Sequence, residues 1–431
     1  MRTSLACAWR ACALLFLAAF CVVANATEPQ EPRGELTLAQ AIEIALRRNP
    51  ELLASRYELT AAQARVLQAG ARLNPELGLE LENFAGSGAL KGVDALETTL
   101  SLSQVIELGD KRGLRRSVAE ADGDLIAIEQ RTRQLDTLAE VTRRFIDVVA
   151  AQERARFAEE NSRLAQQTLD AIAARAEAAR APVAEVSRAR IGLTRAEIEA
   201  RQAATDLRSA RYALASTWGS GESGFTSAKA DLFAFAPVQQ FAVLIAQIER
   251  NPDITRFASQ ARLREAELRL AQAQARPNLA FSLGIRRLEE GGDTALVAGF
   301  SMPLPLADRN QGAIREARVR RVQTDAELQG ALIRARATLY AVYQEMTAAR
   351  ERAESLRNDA VPQAQTALEQ TQSGYERGRF SFLELLTAQQ ELLALRGAAI
   401  DAATDYHRLL AELERVTSEP LTTNDLEAPL P

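Results

Sequence analysis

Residues 189–214 read "ARIGLTRAEIEARQAATDLRSARYAL", and residues 388–413 read "AQQELLALRGAAIDAATDYHRLLAEL". In the first stretch Ala189, Leu193, Ala196, Ala200, Ala203, Leu207, Ala210 and Leu214 recur in alternating steps of four and three. That is the heptad seam of packed helices. Shifting each position by 199 gives Ala388, Leu392, Leu395, Ala399, Ala402, Tyr406, Leu409 and Leu413, apolar throughout. Glu185 and Glu384 keep the same spacing, as do Gly113 and Gly312. Internal repetition decides the fold before any motif does. The chain is read as one unit written twice.

Working outward, each copy shows the same order of parts. A short amphipathic segment, about 37–48 in the first copy, leads to "RRNPELL" at 47–53; "ERNPDIT" follows at 249–255 in the second. Proline suits the first turn of a helix, so helices are expected over about 51–72 and 253–275. The period then changes to two. Leu77, Leu79 and Leu81 alternate with Gly78, Glu80 and Glu82, and Thr98, Leu100 and Leu102 with Thr99, Ser101 and Ser103. In the second copy Leu279, Phe281, Leu283 and Ile285 alternate with smaller or polar residues, as do Leu296, Ala298, Phe300 and Met302 after the turn "EEGGD". Such alternation predicts strands, paired as hairpins over about 76–105 and 278–303.

Beyond each hairpin the helical period returns. Leu114, Val118, Ala121, Leu125, Ile128, Thr132, Leu135 and Ala139 form another seam, and no Gly or Pro interrupts Asp124–Ala181. That stretch alone would span on the order of 87 Å at ~1.5 Å per residue. Long helices are expected over about 110–179 and 311–377, the second bent at Pro362. Return helices are expected over about 184–218 and 381–416. The two copies then occupy residues 27–225 and 226–431.

The first 26 residues carry Arg2 and Arg10, the apolar run "ACALLFLAAFCVV" and Ala24-Asn25-Ala26. Basic flank, apolar core and small-residue site describe a secretory signal peptide cut before Thr27. The run is short for a spanning helix, and bulky Phe20 before Cys21 disfavours a lipidation site. All three cysteines (Cys7, Cys12 and Cys21) lie in this segment, so the mature chain needs no disulfide. The formal charge of −5 becomes −7 once the two arginines leave, which speaks against a nucleic-acid partner.

These parts constrain the assembly. An apolar-faced hairpin is not stable alone in water, whereas strands of ~9–11 residues with one apolar face are of bilayer-crossing length. Four strands cannot close a barrel, and an open edge in hydrocarbon leaves backbone groups unpaired. The chain must therefore oligomerise. Alanine-rich seams would let its helices pack side by side as a hollow cylinder.

The order of elements, with "LTLAQAIEIALRRNPEL", "SQVIELGDKRG" and "MPLPLADRNQGAI", resembles the TolC-type outer-membrane efflux channels, and most of all their heavy-metal, cobalt–zinc–cadmium branch. The resemblance implies a mainly α fold with a small β part. It further implies a homotrimer with a twelve-strand barrel in outer-membrane lipid above a periplasmic tunnel of long antiparallel helices. It also implies two partners, a periplasmic adaptor and an inner-membrane pump of the RND type, with the channel a passive exit duct for divalent metal cations. In the family the tunnel closes like an iris at its periplasmic end. The matching stretch here is "GYERGRFSFLELLTA", 374–388. There Gly378 falls at the family's turn glycine and Tyr375 at a tyrosine that ties neighbouring helices. Glu384 stands where a carboxylate ring can form, and Thr387 where some members carry a second acid. Phe380 replaces a basic residue of the latch, with Arg379 beside it. The first-copy turn, "ARAPVAEVSRA", has Ala-Pro in place of the glycine and aligns Glu185 with Glu384.

Other chemistry is poorly supplied. The mature chain has one histidine, His407, read as packed or solvated, and no cysteine, too little for a zinc or copper site. No phosphate loop or nucleophile elbow is present, so neither an enzyme nor a cofactor is expected. Two alternatives stay open: the same duct serving drugs or secreted proteins, and a soluble periplasmic coiled-coil adaptor.

Overall fold

The computed structural model describes residues 31–237 and 239–419; the expected signal segment lies outside them. Helices dominate. In chain order the first copy runs β1 (Gly34–Leu36), α1 (Leu38–Arg48), α2 (Pro50–Ala69), β2 (Glu76–Glu82), β3 (Glu97–Ile106), α3 (Lys111–Glu177) and α4 (Val183–Ser216). The second runs β4 (Phe225–Ala228), α5 (Phe241–Ile248), α6 (Pro252–Gln274), β5 (Leu279–Leu288), β6 (Asp293–Ser301), α7 (Gln311–Ser355), α8 (Val361–Glu376) and α9 (Phe382–Thr417).

The two hairpins join into one antiparallel sheet of order β2-β3-β5-β6. Register keeps the two faces apart. Leu79 faces Leu100, Leu100 faces Ile285 and Ile285 faces Leu296, giving an apolar row that stands exposed. On the other face Arg286 bonds Glu97 and Thr99 and pairs with Glu82. Gly284 lies so close to β3 that a Cβ there would sit 2.7 Å from the Leu100 carbonyl oxygen. Both outer strands, β2 and β6, end the sheet with an unpaired edge.

Beneath the sheet, the 67 residues of α3 run unbroken, about 100 Å of helix. Its second-copy counterpart is broken. Five residues, Leu356–Ala360, form a π-turn between α7 and α8. Pro362 follows directly; it cannot donate a backbone hydrogen bond and its ring crowds the carbonyl four residues back. A widened turn relieves that clash, so the expected bend takes the form of a π-turn just ahead of the proline.

Helix α3 is the spine. It packs against α2 and α4 of its own copy, and against α6 and α9 of the other. Halfway down, a girdle gathers Val141, Phe145, Val148, Leu214, Trp218, Phe225, Ala353 and Ala403 into one core. Parallel pairing of β1 with β4, which the sequence does not announce, clamps the two copies there. From β4 a strap over 229–237 crosses α9, fixed by the Tyr406 hydroxyl on the Ala236 carbonyl (3.1 Å) and by His407 Nε2 at 2.9 Å from the Leu232 carbonyl. Among the described residues no helix is long and apolar enough to cross a membrane.

Candidate functional site

At the end of the helices far from the sheet, two turns reverse the chain. The second-copy turn is built by glycine. Gly378 adopts φ +73°, and its N–H bonds the Tyr375 carbonyl while the Arg379 N–H bonds that of Gly374. This left-handed helix ending costs glycine little. Gly374 serves differently: the Phe380 ring lies so close to it that a Cβ there would fall 2.1 Å from the ring's Cδ2. In the first-copy turn Ala179 takes the left-handed conformation, at φ +57°, and Pro182 precedes the return helix.

Between the turns lies the tie. The Tyr375 hydroxyl donates to Glu185 Oε2 at 2.8 Å. Arg175, in the last turn of α3, sets its guanidinium 4.6 Å from the Tyr375 ring centre and donates to the carbonyls of Tyr375 (3.4 Å) and Glu376 (3.2 Å). A cation over an aromatic face and on the carbonyls ending a helix is favourable on both counts. Burial, then the hydrogen bond to Glu185, pushes the Tyr375 phenol up to about 12, so it stays a donor at any physiological pH. Directly above, Ile172, Ala189, Leu368, Phe382, Leu385 and Leu392 pack with Tyr375 as an apolar plug.

Glu384 stands apart from this group. Its carboxylate accepts from the Ser381 N–H at 2.7 Å and the Ser381 hydroxyl at 2.8 Å, while its own N–H returns to Ser381 Oγ. That is a reciprocal cap at the start of α9. The backbone N–H of Ser381, then its hydroxyl, holds this exposed carboxyl below the usual range. Thr387 bonds the Leu383 carbonyl of its own helix. So the structure unites Tyr375 with Glu185, and leaves Gly378, Arg379, Glu384 and Thr387 to form the turn and cap beside them.

Arg175 was missing from the sequence reading, although a signal existed. The residue 199 positions on is Gly374, and Tyr375 corresponds to Ala176. The duplication breaks at two of the tie's three members, Arg175 and Tyr375, and is kept at the third, Glu185. Unlike residues at equivalent positions bind the copies together here.

The protein-family model described as "Outer membrane efflux protein" matches residues 41–220 and 244–419, one match in each copy. The chain belongs to the outer membrane efflux protein family. Its work is accordingly transport and not catalysis. This efflux protein is 29% identical over 389 residues to the cobalt-zinc-cadmium resistance protein CzcC of Cupriavidus metallidurans, covering 89% of this chain and 91% of the relative. It is 25% identical to the nickel-cobalt-cadmium resistance protein NccC of Alcaligenes xylosoxydans, over 68% of this chain and 65% of that one. Its fold matches a solved membrane protein from Pseudomonas aeruginosa with TM-score 0.75 at 20% identity, over 88% and 90% of the two chains.

Proposed function

We propose that this efflux protein is the exit duct of a tripartite system: a homotrimer with its sheet in the outer membrane and its helices in the periplasm. An RND-type inner-membrane pump and a periplasmic adaptor would deliver divalent heavy-metal cations to it. The observation that carries the reading is the four-stranded sheet, apolar on one exposed face, polar and charged on the other, and open at both edges. In hydrocarbon such edges must be paired, and three copies supply twelve strands, enough for a pore. The metal cargo draws support from the names of the two relatives. Among the described residues no group of three or more His, Cys, Asp or Glu is placed to hold an ion. Selectivity is therefore assigned to the pump.

The tie among Arg175, Glu185 and Tyr375 is read as the latch of the tunnel end, holding the second-copy hairpin against the first. Gly378 and Arg379 shape the moving turn. Glu384, kept ionised by its cap, offers one carboxylate per chain to a ring that favours cations, and Thr387 adds no second charge.

Deleting the gene tests the cargo. Tolerance of zinc, cobalt and cadmium should fall and return on complementation, with drug tolerance unchanged. Unchanged metal tolerance with lost drug tolerance would select the alternative duct. A soluble, monomeric chain in the periplasm would select an adaptor.

A further inference from the structure

We infer that the girdle holds a binding site for a small apolar organic cation, in a cavity closed on one side by the strap. The site lies within a single chain, so it stands or falls independently of the duct and the trimer proposed above.

The cavity has a volume of about 690 Å³, within the range of sites that take drug-sized molecules. Four segments wall it, two from each copy. The start of α1 gives Thr37, Leu38 and Ala39, and α3 gives Thr142, Phe145, Ile146 and Val149. The strap supplies residues 229–232, Ala234 and Ala236, and α9 supplies His407, Leu410, Ala411 and Glu414. The walls are mostly apolar, and Phe145, Val149 and Leu232 belong to the girdle core itself. A molecule seated here takes its apolar body out of water against side chains already fixed by packing.

The duplication shows that this space is no by-product of the fold. At the 199-residue spacing, His407, Leu410, Ala411 and Glu414 correspond to Arg208, Arg211, Tyr212 and Ala215 of α4. Two arginines in the first copy give way to an imidazole and a leucine, and a tyrosine gives way to an alanine. An alanine is replaced by an acid. These changes take bulk and positive charge from one wall and add a carboxylate.

The charges around the cavity set the sign of its ligand. Asp231 and Glu414 each bring a carboxylate to the walls. Among the described residues the Asp231 side chain accepts only the Phe233 N–H, at 2.9 Å, and pairs with no cation. Lys229, the cation of the strap, is directed to Glu35, with Nζ 3.6 Å from that carboxylate. His407 is held neutral by burial, its Nε2 set against the Leu232 carbonyl. The N-terminus of α1 brings about half a positive charge, and Thr37 and Gln40 already cap it reciprocally. Two full carboxylates outweigh that half charge. With walls this apolar, the fitting ligand is an organic cation whose charge is shielded by hydrocarbon, and not a hydrated metal ion. Because α1 and α3 come from one copy and the strap and α9 from the other, an occupied cavity braces the copies beside the β1–β4 clamp.

Two ions of one shape and opposite charge test the site. Tetraphenylphosphonium and tetraphenylborate are titrated calorimetrically into the full chain in mild detergent, with the detergent blank subtracted. The phosphonium should bind saturably and raise the thermal unfolding midpoint, and the borate should bind about tenfold more weakly or worse. Asp231→Asn with Glu414→Gln should weaken phosphonium binding about tenfold and narrow the gap between the ions. Ala39→Trp, a bulky change at an exposed position on the cavity wall, should block both ions. Helical circular dichroism equal to wild type shows that the variants are folded. In the wild-type chain, hydrogen exchange over 229–237 should slow when the phosphonium is added. Equal binding of the two ions would overturn the site. So would phosphonium binding unchanged in either folded variant, or no saturable binding up to about 1 mM. Each of those results leaves the duct reading untouched.

Discussion

Two asparagines show how much one side chain can connect. Asn251 Oδ1 accepts from the Asp253 N–H at 2.7 Å, starting α6, while its Nδ2 donates to the carbonyls of Arg415 (3.0 Å) and Val416 (2.8 Å), finishing α9. Asn49 does the same between Leu52 and Thr217. Each amide caps one helix and closes another. Asn251→Ala should cost about 1–2 kcal/mol, the range for a lost cap, read as a lower midpoint of thermal unfolding by far-ultraviolet dichroism. Asn251→Asp, which keeps the acceptor and loses the donor, should also destabilise; equal stability would show that only the cap matters. His407 makes a pH prediction. Burial, stronger than the Leu232 carbonyl and the Asp231 charge that oppose it, pushes its imidazole below the ordinary value. The unfolded chain therefore takes up a proton first, and stability falls as pH drops below about 6.5. A His407→Gln chain should show a flatter decline in unfolding midpoint between about pH 7 and 5.

The elements of the two copies match in order and differ in continuity. Helix α3 is continuous, whereas its counterpart carries a π-turn before Pro362. The tip turns differ likewise, Gly378 in one and Ala179 in the other. Gly378→Ala should cost about 1–2 kcal/mol for the left-handed backbone alone. Gly374→Ala should do more, because Phe380 must leave its seat. Hydrogen exchange over 370–385 is expected to quicken in both variants, further in the second. In the sheet, Gly284→Val would drive a side chain into the β3 backbone, and failure to form heat-resistant oligomers is the expected result.

At the scale of the molecule, the proposed latch is what would separate a closed tunnel end from an open one. Tyr375→Phe removes the hydrogen bond to Glu185, and Arg175→Ala removes the cation from the ring and the helix end. Both should raise single-channel conductance of the reconstituted protein in planar bilayers, with the double variant gaining less than the sum because both act on Tyr375. Conductance equal to wild type in both would sink the latch. Much of this plan was legible in the chain. Duplication, helix lengths and strand alternation are periodic signals, written at every second or every third and fourth residue, and periodicity survives without any knowledge of contacts. The Asn-Pro steps were legible as helix starts, but not as ties to helices more than 160 residues away.

What the sequence determined by itself was therefore the repeated unit, since local spacing fixes which face of each element is apolar. What only the tertiary structure decided was the asymmetry between the copies. The β1–β4 clamp and the choice of Arg175 as Tyr375's partner depend on residues brought together across the repeat, and the strap on α9 on residues about 170 positions apart. Such pairings follow from where whole helices come to lie, and no window of sequence contains both partners.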